Sequence, residues 1–171
     1  MAPAATALRT GRLLLVPLVA ADADEMAVVL ANEEMHHFTG GHPLAATELR
    51  ERYHHLAVGH SADGSERWCN WIVRLASDGQ AVGTLQATIT DGGGSAVVAW
   101  EIGVPWQQRG FASEAATAVV GWLIDVGIVS VSAHVHADHV ASARVAAHVG
   151  LAPTPDTVDG EVVWRRPTGG G

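Results

Sequence analysis

The alternation of apolar and polar positions divides the chain into its elements before any one residue is interpreted. Leu13-Leu14-Leu15-Val16 is a short apolar run closed by Pro17, which predicts a first strand. Asp22 or Asp24 is placed to cap a helix running to about Ala31, with Met26, Val29 and Leu30 as its apolar stripe. The segment His36-His37-Phe38-Thr39-Gly40-Gly41-His42-Pro43 has no period and predicts a loop. Residues 47–58 return to helical spacing, with Leu49, Tyr53 and Leu56 on one face.

The middle of the chain changes character. Residues 68–75, 82–90 and 96–104 are rich in β-branched and aromatic side chains. Ser77-Asp78-Gly79 and Asp91-Gly92-Gly93-Gly94 between them tolerate positive φ, so three antiparallel strands joined by hairpins are predicted. The glycine triple lies between two strands and reads as a hairpin tip rather than a phosphate cradle. After Ala112, residues Ala116, Val119, Val120, Leu123 and Ile124 mark one buried helix face, which Gly127 ends. Residues 129–135 alternate as a strand. Asp138 is placed to cap a last helix to Val149, with Gly150 and Leu151 as its stop. Residues 161–165 predict a closing strand, and Gly169-Gly170-Gly171 a frayed tail. The resulting order is β-α-α-β-β-β-α-β-α-β, a mixed sheet with helices in class α/β or α+β.

Composition narrows the function classes. A chain of 171 residues, 48% apolar and 16% charged, fits one domain, structured over about 8–165 with 166–171 as a tail. With 10 basic against 18 acidic residues the net charge is -8, which argues against nucleic acid as the main partner. Cys69 is the only cysteine, so an intrachain disulfide is excluded and a reducing compartment is natural. Residues 1–10 lack a signal-peptide run, and the apolar stretch 13–19 is interrupted by Pro17 and too short to span a bilayer. A soluble cytoplasmic protein with no membrane partner is expected.

The stretch that carries chemistry runs from Trp100-Glu101-Ile102-Gly103-Val104 through Pro105-Trp106 to Gln107-Gln108-Arg109-Gly110-Phe111-Ala112-Ser113. A strand enters a turn and a helix begins, with Gly110 and Ala112 at its mouth. The first turn of a helix has N–H groups without intrahelical partners at its positive end, which suits a diphosphate. Gly110 and Ala112 leave room for phosphate oxygens, and Arg109 adds charge from the side. Gln107-x-x-Gly110-x-Ala112 resembles the Q/R-x-x-G-x-G/A signature of the GNAT (GCN5-related) N-acetyltransferase superfamily. Arg12-Leu13-x-Leu15-x-Pro17, Val82-Gly83-Thr84, Glu101-Ile102-Gly103 and Ala112-Ser113-Glu114-Ala115 resemble its branch typified by the ribosomal-protein acetyltransferases RimJ and RimL. His139-x-Ala141-Ser142-x-Arg144-Val145, followed by Val149-Gly150-Leu151, resembles the second family block.

That resemblance implies a GNAT fold, with an acyl-CoA cleft where the fourth and fifth strands splay apart. It implies that Ile102, Gly103 and Val104 hold the pantetheine arm and that Gln107 to Ser113 hold the diphosphate. The Val104 N–H would polarise the thioester carbonyl. Acetyl-CoA is the default donor, and a primary amine attacks it directly. Glu101 is implied as the base acting through water, or else as a group that orders the strand end or binds the substrate ammonium. His134 is an alternative base, because the fifth strand lines the same cleft. Many members use a last-helix tyrosine as acid; Ala146 stands near that position and the only tyrosine is Tyr53. Ser142 is left to hydrogen-bond the CoA sulfur, and His139 replaces the usual Asn at a CoA contact. His36, His37 and Phe38 fall in the acceptor-binding loop.

Acceptors compatible with this reading are a protein N-terminal amine, an amino-sugar antibiotic or a small metabolite amine. Rival readings are a carrier-protein phosphopantetheine donor, with an acyl carrier protein as partner, and a non-catalytic CoA-binding module on the same scaffold. A homodimer is common among similar proteins. The chain has ten histidines, with His134 and His136 expected on the same face of one strand and His139 close in sequence, but no carboxylate or thiol spacing completes a zinc site and no metal is expected. Cys69, between Trp68 and Asn70, reads as a packing residue.

Overall fold

A computed structural model describes residues 3–167, so the expected glycine tail at 169–171 lies outside the described residues. The chain forms β1 (Leu8–Arg9), β2 (Leu13–Pro17), α1 (Ala23–Val29), α2 (Ala46–Ala57), β3 (Arg67–Leu75), β4 (Ala81–Thr90) and β5 (Ser95–Ile102). It continues with α3 (Phe111–Asp125), β6 (Ser130–Val135), α4 (Val140–His148), β7 (Ala152–Val158) and β8 (Glu161–Arg165). The strands make one sheet in the order β1-β2-β3-β4-β5-β6-β8-β7. Every pairing is antiparallel except β5 with β6. The GNAT-type mixed, mostly antiparallel sheet expected from the resemblance is therefore present.

Strand alternation explains the layers. Along β3, Trp71 and Val73 point into a core shared with α3, while Ile72 joins α1 and α2 on the opposite face. Trp71 is fully buried, meets Trp122 of α3 edge-on with ring centroids 5.4 Å apart, and donates its indole N–H to Thr6 O at 2.7 Å. The α3 stripe buries Phe111, Ala115, Ala116, Val119, Val120 and Leu123. Ile124, expected in that stripe, is 38% exposed because it lies at the stripe's edge. Helix α4 ends in a Schellman turn, with Gly150 N–H donating to Ala147 O and Leu151 N–H to Ala146 O.

Four expectations are corrected. The strand read over 96–104 stops at Ile102, since Val104–Trp106 with Pro105 turns into a 3-10 helix. His139, not Asp138, is the N-cap of α4. His136 lies past the end of β6 and so shares no strand face with His134. Two strands escaped the periodic reading: β1 has two residues, and β7 carries Pro153 and Pro155 on an exposed edge.

The parallel pair is short. β5 and β6 meet only at Ser95↔Ser130, Ala96↔Val131 and Val97↔Ser132. Beyond them β5 stays with β4 as far as Ile102, while β6 pairs β8 through Val135. A wedge thus opens toward the carboxyl ends of β5 and β6, the expected splay of the fourth and fifth strands. Among the described residues, no helix is long and apolar enough to cross a membrane.

Candidate active site

At the open end of the wedge the chain turns from β5 into α3. Gln108 has φ 63° and Gly110, the α3 N-cap, has φ 80°. These left-handed residues alternate with ordinary ones, a backbone pattern that turns successive N–H groups toward one concavity. Glu114 N–H donates to Gly110 O at 3.0 Å, whereas among the described residues those from Gln108 to Ser113 reach no protein acceptor. Together with the positive end of a 15-residue helix, they form a cradle suited to an anion.

A clamp holds the cradle's shape. Glu114 accepts from Thr10 Oγ1 at 2.6 Å, Arg12 N–H at 2.9 Å and Arg12 Nε at 2.7 Å. Arg12 donates from Nη1 to Arg109 O at 2.9 Å and lies 4.6 Å over the Phe111 ring. Burial would raise the Glu114 carboxyl, but the bonds from Thr10 and Arg12 and the guanidinium charge hold it below the usual carboxylate range. In the sequence, Arg12 and Glu114 were visible only as letters of the family pattern; a joint 102 residues apart in sequence gives no periodic signal. Gln107, expected on the diphosphate, donates its side-chain amide to Ile102 O at 2.9 Å, closing the loop onto the strand end. Gly103 is buried, with its N–H donated to Val82 O at 2.8 Å, and an added Cβ would sit 2.8 Å from Val29 O. Its hydrogen is used within the fold, while among the described residues the Val104 N–H reaches no protein acceptor.

The start of α4 faces the acceptor loop. His139 Nδ1 accepts from Ser142 N–H at 3.3 Å, so this nitrogen carries no proton and the ring caps the helix. Burial, then the nearby His136, push the His139 pKa below its ordinary value, which favours the same neutral state. Phe38 stacks on His139 with centroids 4.3 Å apart and an interplanar angle of 21°; it also touches His136 at 5.3 Å and His37 at 4.9 Å. The loop expected to hold the acceptor therefore rests on the residue expected to touch the donor. Ser142 is half-buried one turn into α4, and Ala146 is fully buried in the core.

A cleft of about 400 Å³ lies on the α1–α2 face of the sheet, and Glu101, Ala99, Thr84, Gln86 and Tyr53 are on its wall. Glu101 is exposed rather than enclosed in a dry site. His36 lines this cleft, while His37 and Phe38 line a separate open hollow next to it. His134 is half-buried opposite Val163 and is not on the Glu101 cleft wall. Cys69 is buried with its thiol pushed up to about 11 by burial, in keeping with a packing role. Among the described residues, no three His, Cys, Asp or Glu side chains are grouped for a metal ion.

A family model described as "Acetyltransferase (GNAT) domain" matches residues 12–152. The chain belongs to the GNAT acetyltransferase family. Solved structures share the fold. The RimL ribosomal L7/L12 α-N-protein acetyltransferase in complex with coenzyme A superposes with TM-score 0.77 at 14% identity, over 94% of this chain and 97% of the other. A Vibrio cholerae structure described as a "putative ribosomal-protein-serine acetyltransferase" gives 0.75 at 18% identity, over 96% and 98%. AAC(6')-Ib in complex with Parmomycin and acetyl-CoA gives 0.72 at 15% identity, over 90% and 91%. The comparison with curated proteins returned no match.

For this GNAT domain, Gly110 offers a direct test of the cradle. Its φ of 80° is disfavoured for any L side chain, and an added Cβ would lie 3.3 Å from Arg12 Nη2. Gly110→Ala is expected to lower stability by about 1 kcal/mol and to weaken CoA binding roughly tenfold. Calorimetric titration with CoA, next to a melting curve, separates the two effects. Unchanged CoA affinity in the folded variant would overturn the loop's role.

Proposed function

We propose that this chain is an acyl-CoA-dependent N-acyltransferase, moving an acetyl or other small acyl group to a primary amine. The observation that carries the reading is the wedge between β5 and β6, which leads to the unpaired N–H groups from Gln108 to Ser113. Family membership and the CoA or acetyl-CoA complexes among the structural neighbours support it. The acceptor enters from the Glu101 cleft, on the same sheet face as α1 and α2.

In this mechanism the amine nitrogen attacks the thioester carbon, forming the C–N bond and a tetrahedral intermediate, whose collapse breaks the C–S bond and releases the CoA thiolate. The Val104 N–H steadies the oxyanion of the tetrahedral intermediate. Glu101 receives the amine's proton through water, and the leaving CoA thiolate is stabilised by the Ser142 hydroxyl. Ala146 offers no acid in α4, so a thiolate that departs charged fits this chain better than one protonated by the enzyme. Ile102, through its backbone, and His139 complete the contacts along the pantetheine arm, with Arg109, Phe111, Ala112 and Ser113 around the diphosphate. The loop at Phe38 and the RimJ/RimL-like motifs favour an acceptor held between that loop and Glu101.

The test is release of free thiol when the purified protein is mixed with acetyl-CoA and a panel of amines. Turnover with at least one amine is expected. Tight CoA binding without turnover across the panel would favour the non-catalytic module, and transfer only from a carrier-protein thioester would replace the donor.

A further inference from the structure

Tyr53 presents a buried polar atom that the fold itself does not use. The residue is 3% exposed on the inner face of α2, and among the described residues its hydroxyl has no hydrogen-bond partner. Buried hydroxyls are nearly always paired, and leaving one unpaired destabilises the protein that holds it. Tyr53 is among the residues lining the 400 Å³ cleft, together with Leu30, Leu44, Leu56, Arg52 and Glu101, and its hydroxyl is closed to water in the free protein. The α1 and α2 residues of the wall are mostly apolar apart from Arg52 and Tyr53, while the sheet adds Asn70, Thr84, Gln86 and Glu101.

The charges bear on the same phenol. Burial makes its ionisation harder and the negative Glu101 adds to this, so Tyr53 is a neutral donor at all ordinary pH. It has a proton to give and no protein acceptor to receive it. Pockets that orient a ligand commonly combine an apolar lining with a few such polar groups, and 400 Å³ is at the small end of their size range.

We infer that Tyr53 determines acceptor specificity: its hydroxyl donates to an oxygen of the bound amine, and the cleft selects amines joining an apolar body to a carbonyl oxygen. An amino-acid amide with a branched aliphatic side chain has this chemistry, and so does the first residue of a peptide. The leucines take the side chain, Glu101 faces the ammonium, and the carbonyl oxygen satisfies Tyr53. The catalytic part of this assignment rests on the acyl-transfer reading; the affinity of the cleft does not.

The experiment compares leucinamide with 3-methylbutylamine, which has the same apolar body without the amide, in wild type and Tyr53→Phe. Binding is read by calorimetry and turnover by thiol release from acetyl-CoA. Wild type is expected to bind leucinamide at least tenfold more tightly than 3-methylbutylamine. Tyr53→Phe is expected to weaken leucinamide about tenfold through Kd and KM, leaving kcat, the KM for acetyl-CoA and the binding of 3-methylbutylamine as they were. Its melting temperature should equal or exceed that of wild type, because the hydroxyl it removes is unpaired in the free protein. A purely packing role for Tyr53 predicts no change in the ratio between the two amines, and that result would overturn the inference. So would equal binding of both amines by wild type, a readout independent of any variant. Binding as expected with no thiol release would leave the cleft assignment standing and defeat the transferase reading instead. A third arm with the tripeptide Leu-Ala-Ala separates the sources: retained affinity points to a peptide N-terminus, and its loss to a small amide.

Discussion

Glu101→Gln is expected to reduce kcat/KM for the amine by about 10²-fold while leaving the KM for acetyl-CoA unchanged. The substitution keeps the shape of the side chain and removes only its charge and its capacity to take a proton. Glu101 stands at the end of β5 opposite Thr84, exposed on the wall of the acceptor cleft and one residue from the buried Ile102. In that position it would meet the amine's path on the proposed function, away from the loop at Gln108 to Ser113. The pH profile of the remaining rate should shift as well, because water alone then carries the proton. An unchanged rate and profile would remove Glu101 from the chemistry and leave bulk water as the base, since His134 is not on the cleft wall.

The second large effect concerns Glu114, whose carboxylate is taken up by Thr10 and Arg12. Glu114→Ala should lower stability by about 2 kcal/mol, because it removes the common acceptor of Thr10 and Arg12. The estimate stays modest because the Arg12 side chain is 51% exposed and remains solvated when its partner is lost. Arg12 also anchors Arg109 O, so CoA affinity should fall with stability. The sign of the pH dependence follows from the depressed Glu114 carboxyl. Its contribution is complete above the ordinary carboxylate pKa and is lost as pH falls through the lower folded-state value. The stability gap between wild type and the variant should therefore narrow below about pH 4, as measured by urea unfolding across pH. A gap that stays constant down to pH 3 would refute the clamp.

Much of this architecture could be read from residue order, since it depends on local period. Residues 68–75, 82–90 and the α3 stripe follow alternations of two and of 3.6, which a chain displays wherever one face is buried. The turn from β5 into α3 with Gly110 at its mouth was legible too, because a strand-to-helix turn is a local event; its left-handed Gln108 was not. What remained hidden is non-local or runs against propensity. Asp138 is the better cap by composition, yet His139 takes the position, with its ring held between the helix end and Phe38. That stack joins residues about a hundred positions apart, so no spacing announces it. Strand β7 carries two prolines, and its place at the sheet edge, where an N–H can be missing without harm, decides the matter. Tyr53 looked like one more apolar position of α2; its significance came from what its hydroxyl lacks.

The wedge has a consequence for how the protein survives between turnovers. Where β5 and β6 part, each strand presents an unpaired backbone flank in the middle of an eight-stranded sheet. Open flanks of this kind recruit stray strands, and most proteins keep them short or covered. If this flank receives the acyl-CoA arm as proposed, it must remain open. Any extended, amide-bearing molecule that lies in it acts as a temporary ninth strand, closing the sheet and adding stability in proportion to the logarithm of its concentration. On the proposed function, resistance to aggregation would then rise with the supply of co-substrate.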